Sequence, residues 1–141
     1  MNNIDEFNLV TGEIFGECYR SFPVPVRIEK RAIGQKLKDS LNIAHDPNRI
    51  NLDDREYKLI EHSLSWLIQA GYIWTEGNVS KVTSLDIRLS PLGLETLNQI
   101  PESLDESLGS KLAKGSKEVG REVFLNTVST VLTFGLTTLG A

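Results

Sequence analysis

Hydrophobic residues at the start of the chain recur every three or four positions, which predicts a helix from about Ile4 to Arg20. Gly12 and Gly16 fall inside this repeat, and each weakens a helix by about 1 kcal/mol relative to alanine. The helix is expected to face the core through one stripe of side chains: Phe7, Val10, Ile14 and Cys18, widened by Phe15 and Tyr19.

A strand and a second helix are predicted next. Val24, Val26 and Ile28 alternate with other residues, which is typical of a short strand with one face toward a core. The second helix is expected from Glu29 or Lys30 to Leu41, followed by a polar loop over residues 42–52. Its inward residues are Ile33, Leu37 and Leu41, and its solvated ones Lys30, Arg31, Lys36 and Lys38.

The third helix has the clearest boundaries in the sequence. Asp53 is a good N-cap, Glu56 completes a capping box, and Leu52 is placed to pack on Tyr57 as a hydrophobic staple. Gly71 is the expected terminator. The buried stripe is Tyr57, Ile60, Leu64, Leu67 and Ile68, and the solvated face is Lys58, Glu61, His62, Ser65 and Gln69.

A two-stranded hairpin and a fourth helix follow. Residues 72–75 and 85–89 read as its strands, with a turn at 76–78, because Leu85, Ile87 and Leu89 alternate onto one face. Ser90 and Pro91 then begin a helix as cap and first residue. Leu92, Leu94, Leu97 and Ile100 give that helix its apolar surface, and Pro101 closes it.

The segment from His62 to Leu97 resembles the winged helix-turn-helix superfamily. Its third helix ends at Gly-Tyr-Ile, a wing follows, and Leu89-Ser90-Pro91-x-Gly93-x-x-x-Leu97 starts the next helix, with serine where threonine is usual. The resemblance implies an α+β, mostly helical fold: a winged-helix domain over residues 1–101 with a two-stranded wing, plus a long C-terminal helix. It further implies a recognition helix in a DNA major groove. The implied nucleic-acid contacts are Arg55, Lys58, His62, Ser65 and Lys81.

The charge balance does not favour DNA. The 141 residues carry a net charge of −4, whereas DNA-binding domains are usually basic. Asp53, Asp54 and Glu56 also begin the candidate recognition helix, where carboxylates would face phosphates. The one candidate basic patch lies between Arg20 and Arg49. DNA and a partner protein therefore both remain possible ligands.

No catalytic or metal-binding pattern is visible in the sequence. Cys18, His45 and His62 are the only thiol and imidazole groups, and their spacing matches no zinc motif. We expect no enzyme activity, no metal and no cofactor, and a cytoplasmic location, because a lone cysteine and an N-terminus without a signal peptide fit that compartment. Trp66 and Trp74 are candidate partner contacts, although packing beneath the C-terminal helix is the favoured interpretation.

The C-terminal segment, residues 102–141, is predicted to be one helix that begins at a capping box, Ser103 to Glu106. Residues 123–141 contain no charge. This stretch could contact a membrane, pack on the N-terminal domain or, the favoured alternative, join a second copy of the chain. The residues expected to self-associate are Leu104, Leu108, Leu112, Val119, Val123, Val128, Val131 and Leu132.

Together these patterns predict a non-enzymatic winged-helix binding protein that is a homo-oligomer through its C-terminal helix. It would act as a DNA-binding regulator or as a protein-interaction adaptor. The alternative is a sensor or adaptor whose uncharged C-terminal helix is membrane-active.

Overall fold

The computed structural model describes residues 2–40, 54–80, 82–102 and 105–139, with side chains up to residue 137 in the last range. It is mostly helical with one small antiparallel sheet, so the predicted α+β class is confirmed. The elements are α1 (Asn3–Ser21), β1 (Val26–Glu29), α2 (Lys30–Ser40), α3 (Asp54–Gln69), β2 (Ile73–Thr75), β3 (Ser84–Leu89), α4 (Pro91–Leu97), α5 (Leu108–Ala113), α6 (Ser116–Val119) and α7 (Arg121–Leu139).

The sheet has the strand order β1-β3-β2, and both pairings are antiparallel. The predicted hairpin is therefore present as β2 and β3, and the strand predicted after the first helix adds to the free edge of β3. Leu85, Ile87 and Leu89 of β3 are buried, which confirms the alternation. Cross-strand partners on the opposite, exposed face are Arg27 with Asp86 and Trp74 with Arg88.

The predicted ends of several helices are also confirmed. The Ser90 hydroxyl accepts a hydrogen bond from the Gly93 amide at 3.0 Å, as an N-cap should, and Gly71 ends α3 with a φ of 89°. The fourth helix stops at Leu97 rather than near Pro101, and Ile100 is exposed. Leu41, the loop 42–52, the cap Asp53 and its staple partner Leu52 lie outside the described residues.

The expectation of one long C-terminal helix is wrong. The chain instead forms α5, α6 and α7, and the two breaks fall at Gly115 and Gly120, whose φ values are 88° and 91°. Glycine occupies this left-handed region at no steric cost, so these residues stop a helix that the apolar spacing alone would continue. The N-cap of α5 is Ser107, whose hydroxyl accepts from the Ser110 amide at 3.1 Å, while Ser103 and Leu104 are not described.

Helix α1 lies at the centre of the molecule, between α2 and α3 on one side and α5 and α7 on the other. Its residues 8–16 are all buried. Part of the predicted self-association ridge belongs to this same core, because four of its members have 0–1% exposure and pack within the chain: Leu108, Leu112, Val128 and Val131. They are therefore not available to a second copy, which corrects their assignment. Within the described residues, no helix is long and apolar enough to cross a membrane.

Candidate functional site

The side of α3 that the resemblance assigns to DNA is only partly basic. Lys58 and His62 are exposed, and Ser65 is half-buried. Arg55 is exposed as well, but its guanidinium donates to the Glu6 carboxylate at 2.7 Å. Lys81 lies outside the described residues. The structure thus brings four of the five predicted residues onto one helix and neutralises one of them.

Trp66 is the large aromatic residue on this side of α3, with 45% of its surface exposed. Its ring makes a T-shaped contact with Phe7 at a centroid distance of 5.4 Å and stacks on Tyr72 at 6.4 Å with an interplanar angle of 19°. Trp74, on β2, is 48% exposed. The favoured expectation that both tryptophans pack beneath the C-terminal helix is therefore wrong. Trp66 is instead a half-exposed ring fixed on two sides.

Lys30 was predicted to be solvated, and this prediction is wrong. Its side chain has no exposed surface, and its ammonium donates to the Glu61 carboxylate at 2.8 Å and to the Val79 carbonyl at 2.6 Å. The same ammonium lies 5.2 Å from the centre of the Tyr57 ring. One buried cation therefore ties the start of α2 to α3 and to the loop that follows β2, because a desolvated charge requires such partners.

Two further cations of α2, Lys36 and Lys38, are also paired. Lys36 contacts Glu13 at 3.2 Å and Glu17 at 3.1 Å, and Lys38 contacts Glu56 at 3.4 Å. Burial lowers the pKa of Lys36, but the two carboxylates outweigh it and hold the pKa above its ordinary value.

Most of the described cations in the predicted basic patch are therefore engaged in ion pairs. Arg20 pairs with Glu17 at 2.6 Å and Arg27 with Asp86 at 3.3 Å, while Arg49 is not described. Glu56, which was expected to face phosphates, is buried against Lys38 instead. The positive charges of this stretch hold elements of the fold together rather than forming a free cationic surface.

The exposed face of the sheet forms an open groove of about 540 Å³. The Arg88 guanidinium lies 5.6 Å from the centre of the Trp74 ring, and the Arg27–Asp86 ion pair beside it joins β1 to β3. Sequence alternation along β3 places Asp86 and Arg88 on the face opposite the core, so the arrangement could have been inferred from the strand register. Glu76 also lines the groove, so two carboxylates balance its two guanidinium groups, which disfavours a polyanion as its ligand.

A second groove, of about 620 Å³, lies between the ends of α1 and α2 and the α5–α6 region. Its cations are largely bonded within the chain: Lys114 pairs with Glu106 at 2.8 Å, and Arg121 donates to the Ser40 carbonyl at 3.0 Å. The hydrogen bond lowers the pKa of Glu106 and raises that of Lys114, as expected for such a pair.

Cys18 and His62 lie in different surroundings. Burial, with a smaller effect from the Glu17 carboxylate, raises the pKa of the Cys18 thiol to about 12, so the thiolate needed for nucleophilic attack does not form near neutral pH. His62 is exposed on α3, and His45 is outside the described residues. Among the residues that are described, no group of three or more His, Cys, Asp or Glu side chains could hold a metal ion.

The burial of Lys30 escaped the sequence patterns, and the exposure of Trp66 was the less favoured of two interpretations. A helical repeat predicts that every lysine is solvated. It does not predict how deeply a residue at the margin of the apolar stripe is buried. Comparison of the chain with protein-family models, curated proteins and solved structures finds no match in any of the three.

Proposed function

We propose that this chain is a winged-helix module that binds another protein and catalyses no reaction. The order of α1, β1, α2, α3 and the β2–β3 hairpin, with β1 as the third strand, supports the winged-helix interpretation. The hairpin would be the wing and α3 the helix that faces the ligand. We further propose a cytoplasmic location, since the single cysteine is a buried thiol that needs no oxidising compartment.

The pairing of the cations is the observation that favours a protein over DNA. Affinity for DNA comes largely from lysine and arginine side chains that displace counterions from phosphates. Lys30, Lys36 and Lys38 instead contact carboxylates of the same chain, and Arg55 contacts Glu6. Binding a phosphate with any of them would first break an internal ion pair.

The same side of α3 is better suited to binding a protein than to binding DNA. Trp66 is half-exposed, and its contacts with Phe7 and Tyr72 fix its orientation before a partner arrives. Preordered aromatic rings are the usual centres of protein interfaces, because they bury a large area at a low entropic cost. Lys58 and His62 lie exposed on the same helix and would form the polar rim.

A salt titration tests the choice between the two ligands. Filter-binding with mixed genomic DNA fragments should give a small association constant. The logarithm of that constant should change little with the logarithm of salt concentration. A steep decline with salt, together with loss of binding in Lys58→Glu, would instead establish the DNA-binding alternative.

A selection from a displayed peptide library tests the docking side directly. Trp66→Ser should lose at least about tenfold in affinity for peptides selected on the unmodified chain, as expected for a central aromatic contact. Trp74→Ser is a matched control, because its indole is exposed to nearly the same extent on a different surface. Equal binding by both variants, or loss only in Trp74→Ser, would contradict the assignment to α3.

A further inference from the structure

Helix α7 has two unlike sides. Phe124, Val128 and Val131 are fully buried on its inner side. Its outer face, defined here by the residues with exposed side chains from Val123 to Thr137, contains no charged group. Three apolar residues on it remain well exposed: Val123 at 41%, Phe134 at 38% and Leu136 at 67%. A surface of this kind, if covered, would remove apolar area from water without desolvating a charge.

Several threonine hydroxyls of α7 are already bonded within the helix, although the exposed Asn126 and Ser129 are not. The hydroxyls of Thr130, Thr133 and Thr137 each donate to the carbonyl four residues earlier, at 2.9, 2.9 and 3.0 Å. A hydroxyl whose proton is bonded to its own backbone leaves no unsatisfied donor when a second helix covers it. The usual penalty for burying hydroxyl groups is therefore reduced along this face.

We propose that the outer face of α7 docks on the same face of a second copy of the chain. In a two-fold interface both copies use the same surface patch, so a patch that carries a net charge would meet the same charge on the other copy and repel it. A helix without charges over this length avoids that repulsion. A lipid surface fits less well, because an interfacial helix needs its main apolar stripe free, and here that stripe is buried in the core.

This dimer would be weak and would depend on concentration. A helix of 19 residues spans about 28 Å, so a single pair of helices lies at the small end of specific interfaces. The inference does not depend on the proposed protein-binding function, which concerns α3. A monomeric chain could still bind a partner through Trp66, and a dimer could still lack that partner.

Sedimentation equilibrium of the full chain over about a hundredfold range of concentration tests the proposal. The unmodified chain should pass from monomer to dimer. Thr133→Glu, at an exposed position of α7, should raise the dissociation constant by about tenfold or more through repulsion between copies. Thr83→Glu, at an exposed position outside α7, is the matched control and should dimerise normally.

A mixing experiment separates a charge effect from a folding defect. Equal amounts of Thr133→Glu and Thr133→Lys should associate more tightly than either variant alone, which damage to the fold would not produce. A monomeric unmodified chain, or dimerisation unchanged by both substitutions, overturns the proposal. Flotation of the chain with vesicles of phosphatidylcholine and phosphatidylglycerol, abolished by Thr133→Glu, would also overturn it and assign the face to a membrane.

Discussion

The two sides of α1 hold their neighbours by opposite means. Toward α2 and α3 it presents Glu6, Glu13 and Glu17, which pair with Arg55 and Lys36. Toward α5 and α7 it presents glycines 12 and 16, four residues apart and hence on one face of the helix. One side is joined at its margin by long charged side chains, and the other by direct contact of backbones and rings.

The glycine side tolerates almost no added volume. A Cβ atom at Gly12 would overlap the Phe124 ring and lie 2.8 Å from a Val128 methyl, and one at Gly16 would lie 2.6 Å from the Leu112 carbonyl oxygen. The ion pairs of the other side, in contrast, have exposed cations, Lys36 at 41% and Arg55 at 66%, and can lengthen or admit water at smaller cost. The C-terminal helices are therefore the more sterically constrained part of this core, although they come last in the sequence.

The largest expected effect comes from filling the glycine contact. Gly12→Leu should lower the free energy of unfolding by about 3 kcal/mol, because the new side chain displaces Phe124 and Val128 while leucine itself favours a helix. Urea denaturation measures the loss. Gly77→Leu is the control, since a Cβ at Gly77 meets nothing within 4 Å. Equal stability of Gly12→Leu and the unmodified chain would show that α7 does not pack tightly on α1.

The buried cation provides the next largest effect. Lys30→Met should cost about 2 kcal/mol in urea denaturation, because Glu61 and the Val79 carbonyl lose their partner while the methionine still fills the site. Lys58→Met, on an exposed position of α3, should change stability by no more than about 0.5 kcal/mol. If the two variants were equally stable, Lys30 would not join these elements in solution.

The pH dependence of stability tests whether the Cys18 thiol of α1 is shielded from water. The pKa of Cys18 rises from 9.0 to about 12 on folding, so above pH 9 the unfolded chain loses a proton that the folded chain keeps. Stability contributed by the neutral thiol is complete below pH 9 and is lost as the pH rises toward 12. Between about pH 8 and pH 10 the unmodified chain should lose about 1.4 kcal/mol more than Cys18→Ala. Parallel pH profiles for the two proteins would place the thiol in contact with water.

The smallest effect is expected when an ion pair on the charged side of α1 is removed. Lys36→Met should cost only about 0.5 kcal/mol at low salt, because the lysine is 41% exposed and water screens its ion pairs. About 1 M sodium chloride should remove most of that difference, whereas the loss in Gly12→Leu should persist. A salt-independent loss in Lys36→Met would mean that the contact is mainly apolar.

Hydrophobic periodicity was sufficient to predict the elements up to Leu97 and most of their buried residues, although Val24 is 65% exposed and precedes β1. Ile33, Leu37, Ile60 and Leu64 are buried where a 3.6-residue repeat places them, since in each helix one stripe meets the core. Ser90 and Gly71 end their helices as local chemistry requires. These features depend on neighbours within a few residues, and the sequence contains them directly.

The features that the sequence patterns did not predict depend on partners far away along the chain. Gly12 looks like a weak point in a helix until Phe124, more than a hundred residues later, is found against it. Lys30 looks solvated until Glu61 and Val79 enclose its ammonium. Trp66 was expected to pack beneath the C-terminal helix, but its contacts are instead with Phe7 and Tyr72 from other elements.

The position of Tyr72 gives the molecule a built-in optical signal. Its hydroxyl donates to the Leu132 carbonyl of α7 at 3.3 Å, while its ring stacks on the half-exposed indole of Trp66. Detachment of α7 would free this tyrosine and change the surroundings of the indole at once. The intrinsic fluorescence of Trp66 therefore reports on the attachment of the C-terminal helix, without any added label.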